Sequence, residues 1–162
     1  SSGINSTETV ISSPKRYLAN AIYAGTTWTF FVSGTCTTTA ANVSTFRVRL
    51  GTAGTTGDTV IMTFATTAAG TTGTSIPFTA KITVTCRTVG GSATFTGTME
   101  LLTNAITGVV ALQLANVYVG TAAAGVTTNA DYVTLTYQAA AATTTCTFSH
   151  VALSTTVPGN NN

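Results

Sequence analysis

Charged side chains are scarce in this sequence. Only 6% of its 162 residues are Asp, Glu, Lys or Arg, where about 25% is typical of globular domains. The six cations cluster only at Lys15-Arg16 and at Arg47 and Arg49, so the chain lacks the dense basic surface of a nucleic-acid-binding protein. Apolar residues still make up 44% of the chain, which predicts one packed domain rather than disorder.

Long hydrophobic runs are also missing. No apolar stretch approaches the roughly twenty residues that cross a bilayer, and residues 1–5 lack the basic and then apolar regions of a signal peptide. We therefore expect no membrane partner.

Groups that perform chemistry are few and scattered. The only histidine, His150, lies in a predicted strand, whereas a hydrolase needs a histidine between a nucleophile and an acid. The four acids form no close pair of the kind a glycosidase uses and no Asp-rich calcium loop. The glycine-rich run 51–57 lacks the lysine and the helix of a phosphate loop. We expect no enzyme activity, no catalytic or metal site and no cofactor.

The three cysteines, Cys36, Cys86 and Cys146, show no metal-ligand spacing. Each falls in the apolar register of its strand, so the favoured prediction is three buried, inert thiols. One disulfide with one free thiol is the alternative.

Threonine, in contrast, supplies about a quarter of the chain. Its β-branched carbon favours strands and its hydroxyl suits the solvated face of a sheet. Between Phe46 and Leu50, apolar residues alternate with Arg47 and Arg49, which predicts a strand with one buried face. The glycine-rich run that follows predicts a turn, and Val60, Met62 and Phe64 resume the alternation.

Two-residue periodicity continues along most of the chain. It is cleanest over residues 76–87, and it shifts phase near His150, which predicts a bulge there. Eight or nine strands with one solvated face each, and no helical window, predict an all-β, antiparallel β-sandwich of jelly-roll type. An immunoglobulin-like sandwich is the alternative, although Trp28 precedes all three cysteines and so breaks that fold's pattern.

The predicted organisation is a single sandwich domain over residues 17–157. Residues 1–16 are predicted to form an extended arm with a short strand near Thr9-Val10-Ile11, lying against a neighbouring subunit or a larger assembly, or else to fray. Residues 158–162 are predicted to be a disordered tail.

Arg47 and Arg49 are the most informative charges. Two arginines on one strand face need a counter-charge, which Asp58, Glu100 or a neighbouring subunit could supply. These four residues are the candidates for ion pairs or a subunit interface. The alternative is an exposed arginine pair that contributes less than about 1 kcal/mol.

Two segments carry a family resemblance. They are the run VSTFRVRLGTAGTTGD (43–58) and the run IPFTAKITVTCRTVGGSATFTGTMEL (76–101). Both resemble bacteriophage virion proteins, namely the jelly-roll domains of tail fibres, head fibres and capsid decoration proteins. Such domains are usually trimeric. The resemblance spans roughly residues 26–104. It implies a homotrimer on the virion exterior, bound to major capsid or tail proteins, and it brings no catalytic residues.

Three functions fit these observations. The first is a structural virion protein that decorates the capsid exterior or forms a fibre or spike. The second is a glycan- or receptor-binding module using Trp28, Tyr118 or Tyr132, although Trp28 falls in the inward register. The third is an ice-binding surface built from Thr-x-Thr ladders such as Thr83/Thr85 and 94–98, for which a twisted sheet is a poor host.

Overall fold

The computed structural model of the chain describes residues 4, 6–38, 43–66, 73–103, 114–139 and 141–158. Within these ranges the regular secondary structure consists of strands only, as the alternation predicts. The strands are β1 (Thr9–Val10), β2 (Lys15–Arg16), β3 (Thr27–Thr38), β4 (Ser44–Gly51), β5 (Thr59–Ala65), β6 (Gly73–Thr88), β7 (Thr94–Thr103), β8 (Leu114–Val119), β9 (Thr121–Ala122), β10 (Tyr132–Ala139) and β11 (Thr145–Thr156).

The strands form two antiparallel sheets that pack as a sandwich. The first, which we call the arm sheet, has the order β1-β10-β4-β5-β9, with β2 also paired to β10. The second, which we call the long-strand sheet, has the order β11-β3-β6-β7-β8. The predicted β-sandwich is therefore confirmed.

The strand order is that of a jelly roll. Ile4 bridges to β11, so one set of four neighbours is Ile4-β11-β3-β6, while the arm, β10, β4 and β5 form the other. Successive segments cross between the two sets in the way that produces the paired Greek keys of this fold. Strands β7, β8 and β9 are an insertion that widens both sheets on the side away from Ile4.

The core lies between the two inner faces. Trp28 is 0% exposed, packs edge-on against Tyr17 and donates its indole N–H to the Tyr17 hydroxyl at 2.9 Å. This contact satisfies the one polar group of a large buried ring. The alternation predicted over residues 76–87 of β6 is confirmed from Phe78 onward, while Ile76 is only partly buried. The buried inward residues are Phe78, Ala80, Ile82, Val84 and Cys86.

Four strand pairs contain register shifts: β3–β11, β3–β6, β4–β5 and β6–β7. Two of these shifts bear on the predicted alternation. The predicted bulge near His150 is confirmed, since the β3–β11 register shifts between Phe148 and His150. A second shift lies between β4 and β5, so Ile61 and Met62 are both buried and Val60 is only partly buried. The simple alternation expected for Val60 therefore fails at this bulge.

The cysteines correct the favoured prediction. Cys36 and Cys146 form a disulfide, and Cys86 is a buried free thiol, so the prediction of three thiols is wrong and the alternative is right. The two bonded cysteines are direct cross-strand partners in β3 and β11. The backbone of Cys146 bonds to Ile4 instead of β3, so Cys36 and Cys146 form a non-hydrogen-bonded pair of the β3–β11 ladder. Side chains come closest together in pairs of this kind.

Two predicted regions lie partly outside the described residues. Of the arm expected over residues 1–16 the structure describes Ile4 and residues 6–16, and of the tail expected over 158–162 it describes only Pro158. In the described residues, no helix is long and apolar enough to span a membrane.

Candidate functional site

The outer face of the arm sheet carries a cluster of charges centred on Glu8. The alternation of β4 places Arg47 and Arg49 on this face, and Glu8 reaches them from the segment just before β1. Arg49 binds the carboxylate through two bonds, Nε to Oε1 and Nη2 to Oε2, both 2.8 Å long. Arg47 Nη1 lies 3.2 Å from Oε2. A forked guanidinium–carboxylate pair of this kind is among the stronger polar contacts in proteins.

Neighbouring polar groups complete the cluster. Thr136 donates its hydroxyl to Glu8 Oε1 at 2.5 Å. Gln138 accepts from Arg47 Nη1 at 2.9 Å and donates to the carbonyl of Ser6 at 2.9 Å. We call this group, Glu8, Arg47, Arg49, Thr136 and Gln138, the arm clamp. It holds residues 6–16 against the chain's own β10.

The predicted ion-pair candidates separate into two places. Asp58 lies beside Arg49, but its contact is the main-chain carbonyl, which accepts from Nη1 at 2.5 Å. Glu100 lies on the other sheet, 3.8 Å from Lys81. The counter-charge of both arginines is Glu8, which the sequence analysis did not predict. A signal was present, because Glu8 is the only acid before Asp58.

The carboxylate of Asp58 shapes the β4–β5 connection. It accepts the backbone N–H groups of Ala53, Gly54 and Thr55 at 3.2, 2.7 and 3.1 Å. The turn also needs a glycine at position 54. The φ of Gly54 is +70°, and a Cβ atom added there would press against Pro14 and Tyr132. The predicted turn is therefore fixed by an acid that binds main chain, and the arm packs over it.

A second acid, Asp131, is buried without a full set of partners. It is 1% exposed, and its Oδ2 is one of two buried side-chain polar atoms left without a hydrogen bond in the described residues. Burial, and then the negative charge of Asp58, raise the pKa of this carboxyl above its ordinary value of 3.8. The folded chain therefore disfavours the ionised form of Asp131.

Replacing Asp131 with Asn is expected to raise the melting temperature at pH 7.5. Because the folded pKa is raised, the stabilising contribution of Asp131 is complete below its ordinary pKa and is lost as pH rises through the folded pKa. The advantage of Asp131→Asn should therefore shrink toward pH 4. Each kcal/mol recovered corresponds to about 2–4 °C in a domain of this size.

Thermal unfolding at a series of pH values measures this effect. Asp58→Asn is the matched control, since its carboxylate binds three N–H groups and its loss should lower the melting temperature at pH 7.5. A melting temperature of Asp131→Asn that stays below the wild type at every pH would contradict the account of Asp131.

The outer face of the long-strand sheet is an array of hydroxyl groups. Strand register places two rows side by side, each crossing β11, β3, β6 and β7: Ser154, Thr29, Thr83 and Thr98 in one row, and Thr156, Thr27, Thr85 and Thr96 in the other. The Thr-x-Thr ladders are thus in register. Thr27 and Thr85 bond to each other at 2.9 Å. The next row contains Phe31, which is 45% exposed, beside Lys81 and Glu100.

The other candidate residues lie apart from this array. Trp28 is fully buried and cannot present its ring to a sugar. Tyr132 is partly buried beside Gly54, and the side chain of Tyr118 lies outside the described part. His150 is exposed on β11 opposite Ser33. No group of three or more His, Cys, Asp or Glu that could hold a metal occurs among the described residues.

The fold and these surfaces define a jelly-roll domain with its arm bound to its own sheet and with a hydroxyl-rich outer face. Comparison of the chain with models of protein families, with curated proteins and with solved structures finds no match.

Proposed function

We propose that this chain is a non-enzymatic structural protein of a bacteriophage virion, placed on the exterior as a capsid decoration, fibre or spike domain. Its partners in this proposal are further copies of itself and the major capsid or tail proteins. Fold alone does not assign function. The proposal therefore depends on the sequence resemblance described above together with one structural observation.

That observation is the disulfide between Cys36 and Cys146. Disulfides form and persist on secreted proteins and on virion and cell surfaces, and they are rare in the cytosol. This cross-link joins β3 and β11 in a chain of which only 6% of the residues are charged and whose long-strand sheet has a hydroxyl-rich outer face. These features support a domain that works outside the cell.

Immunogold labelling tests the location. Antibodies raised against the recombinant chain should label the outside of intact particles purified from cultures that carry its gene, and they should label disrupted particles no more densely. Labelling confined to the host cell surface, or to particles only after disruption, would contradict the proposal.

A glycan- or receptor-binding module is the second candidate. The observation that favours it is Phe31, an exposed ring on the hydroxyl face next to Thr29 and Lys81, because aromatic rings with polar neighbours are common in binding surfaces. Binding of the recombinant chain to a glycan array, abolished by Phe31→Ala and kept by Leu18→Ala, would support this function. Leu18 is a suitable control because it is exposed and lies outside the sheets.

A further inference from the structure

Among the described residues, strand β11 forms one edge of the long-strand sheet, which we call the open edge. Its partner on one side is β3, while on the other side the described residues contribute only Ile4, which exchanges two backbone hydrogen bonds with Cys146 at 2.8 and 2.9 Å. The corresponding edge of the arm sheet differs, because β1 and β2 both cover β10. Residues 147–156 therefore lack a described strand on their outer side.

The backbone groups that face this edge can be identified. Cys146 directs its N–H and C=O groups toward Ile4, and the bulge between Phe148 and His150 moves the alternation by one residue. After the bulge, antiparallel pairing with β3 uses the backbone of the even-numbered residues. Val151, Leu153 and Thr155 consequently direct theirs to the open edge.

The side chains of the same three residues line a groove. The groove has a volume of about 430 Å³, and its opposite wall is formed by residues 12–15 of the arm. Val151 and Leu153 are only partly buried there. Strand β11 also contains no Asp, Glu, Lys or Arg, although charged residues are the usual protection of an exposed edge strand.

We propose that β11 pairs with β11 of a second copy of this chain, antiparallel about a two-fold axis at Ala152. This register places Val151 opposite the partner's Leu153 on the inner face, so apolar side chains meet across the edge and fill the groove. On the outer face it places His150 opposite the partner's Ser154. The pairing joins two five-stranded sheets into one continuous sheet.

Two details support this register over its neighbours. Ala152 falls in a non-hydrogen-bonded pair, where the two Cα atoms are only about 4.5 Å apart, and its methyl group is small enough to meet its own copy. An axis at Val151 would place Leu153 opposite the partner's Ser149. An axis at Leu153 would place Val151 opposite the partner's Thr155. Only the axis at Ala152 matches apolar with apolar and polar with polar.

The inference does not depend on the proposed virion function, and it differs from the trimer that the family resemblance implies. Sedimentation velocity over about 1–200 μM should show a dimer. Ala152→Lys should weaken the dimer at least about tenfold, because two ammonium groups would be directly opposed at the axis. Thr98→Lys, on the same outer face but on β7, three strands inward from β11, should leave the dimer unchanged.

A cross-link provides the positive test. Ala152→Cys should give a covalent dimer under mild oxidation, because a non-hydrogen-bonded pair at the axis has the Cα separation that disulfides need. Thr98→Cys should remain monomeric on a non-reducing gel. A concentration-independent monomer, as expected if chain preceding Ile4 fills the edge instead, would overturn the proposal. A trimer in which Ala152→Cys fails to cross-link would overturn it as well.

Discussion

Replacing Cys36 and Cys146 together with alanine is expected to lower the free energy of unfolding by about 2–5 kcal/mol. The two residues are separated by 110 positions, so the disulfide closes a loop that contains most of the chain. In the chain-entropy account, a loop of about 100 residues gives a stabilisation near the upper end of that range, because the cross-link restricts the unfolded ensemble. Urea denaturation of both proteins measures the difference.

The third cysteine supplies the control. Cys86 is buried, and its thiol donates to the carbonyl of Thr88 at 3.2 Å, so Cys86→Ala should cost only the packing of one sulfur. A reductant should lower the stability of the wild type and of Cys86→Ala by a similar amount and should leave the double variant unchanged. Equal stability of the wild type with and without reductant would show that the cross-link contributes nothing.

The strands were predictable because periodicity is a local property. In β6 each second residue from Phe78 to Cys86 is apolar, and a slip of one residue would expose the whole set to water. The bulge beside His150 was predictable for the same reason, since the apolar residues change phase there. The bulge in β5 left no such trace, because Ile61 and Met62 are both apolar and both buried.

Pairing between distant strands could not be read in this way. Cys36 and Cys146 each fit the apolar register of a strand, but alternation does not say which strands are neighbours. The disulfide becomes evident only once β3 lies beside β11 and the register sets the two cysteines opposite each other.

The arm clamp was half predictable. Arg47 and Arg49 need a counter-charge because they lie on one face of a strand, and this need was predictable from the alternation. The identity of the counter-charge depends on the path of the arm along β10, which local pattern does not determine. Asp58, one of the predicted partners, does lie beside Arg49, but Arg49 contacts the main-chain carbonyl of Asp58 rather than its carboxylate.

Replacing Glu8 with alanine is expected to destabilise the fold by about 2–4 kcal/mol. Arg49 as a whole is 8% exposed. Removing Glu8 therefore leaves a nearly buried guanidinium without a carboxylate partner and close to the guanidinium of Arg47. Loss of one partner from a fully buried ion pair typically costs 3–5 kcal/mol, and the partial exposure of Arg47 reduces the effect here. The hydroxyl of Thr136 also loses the oxygen to which it donates.

Glu100→Ala provides the matched control, because it removes an acid of the same type from an exposed contact with Lys81 and should cost less than about 1 kcal/mol. A second measurement separates release of the arm from general destabilisation. Because Glu8 holds the arm against β10, Glu8→Ala should speed trypsin cleavage after Lys15 and Arg16 under native conditions, while cleavage at Lys81 and Arg87 should rise far less. If Glu8→Ala lost no more stability than Glu100→Ala and its arm remained equally protected, the arm would have to be held by its backbone pairing with β10 alone.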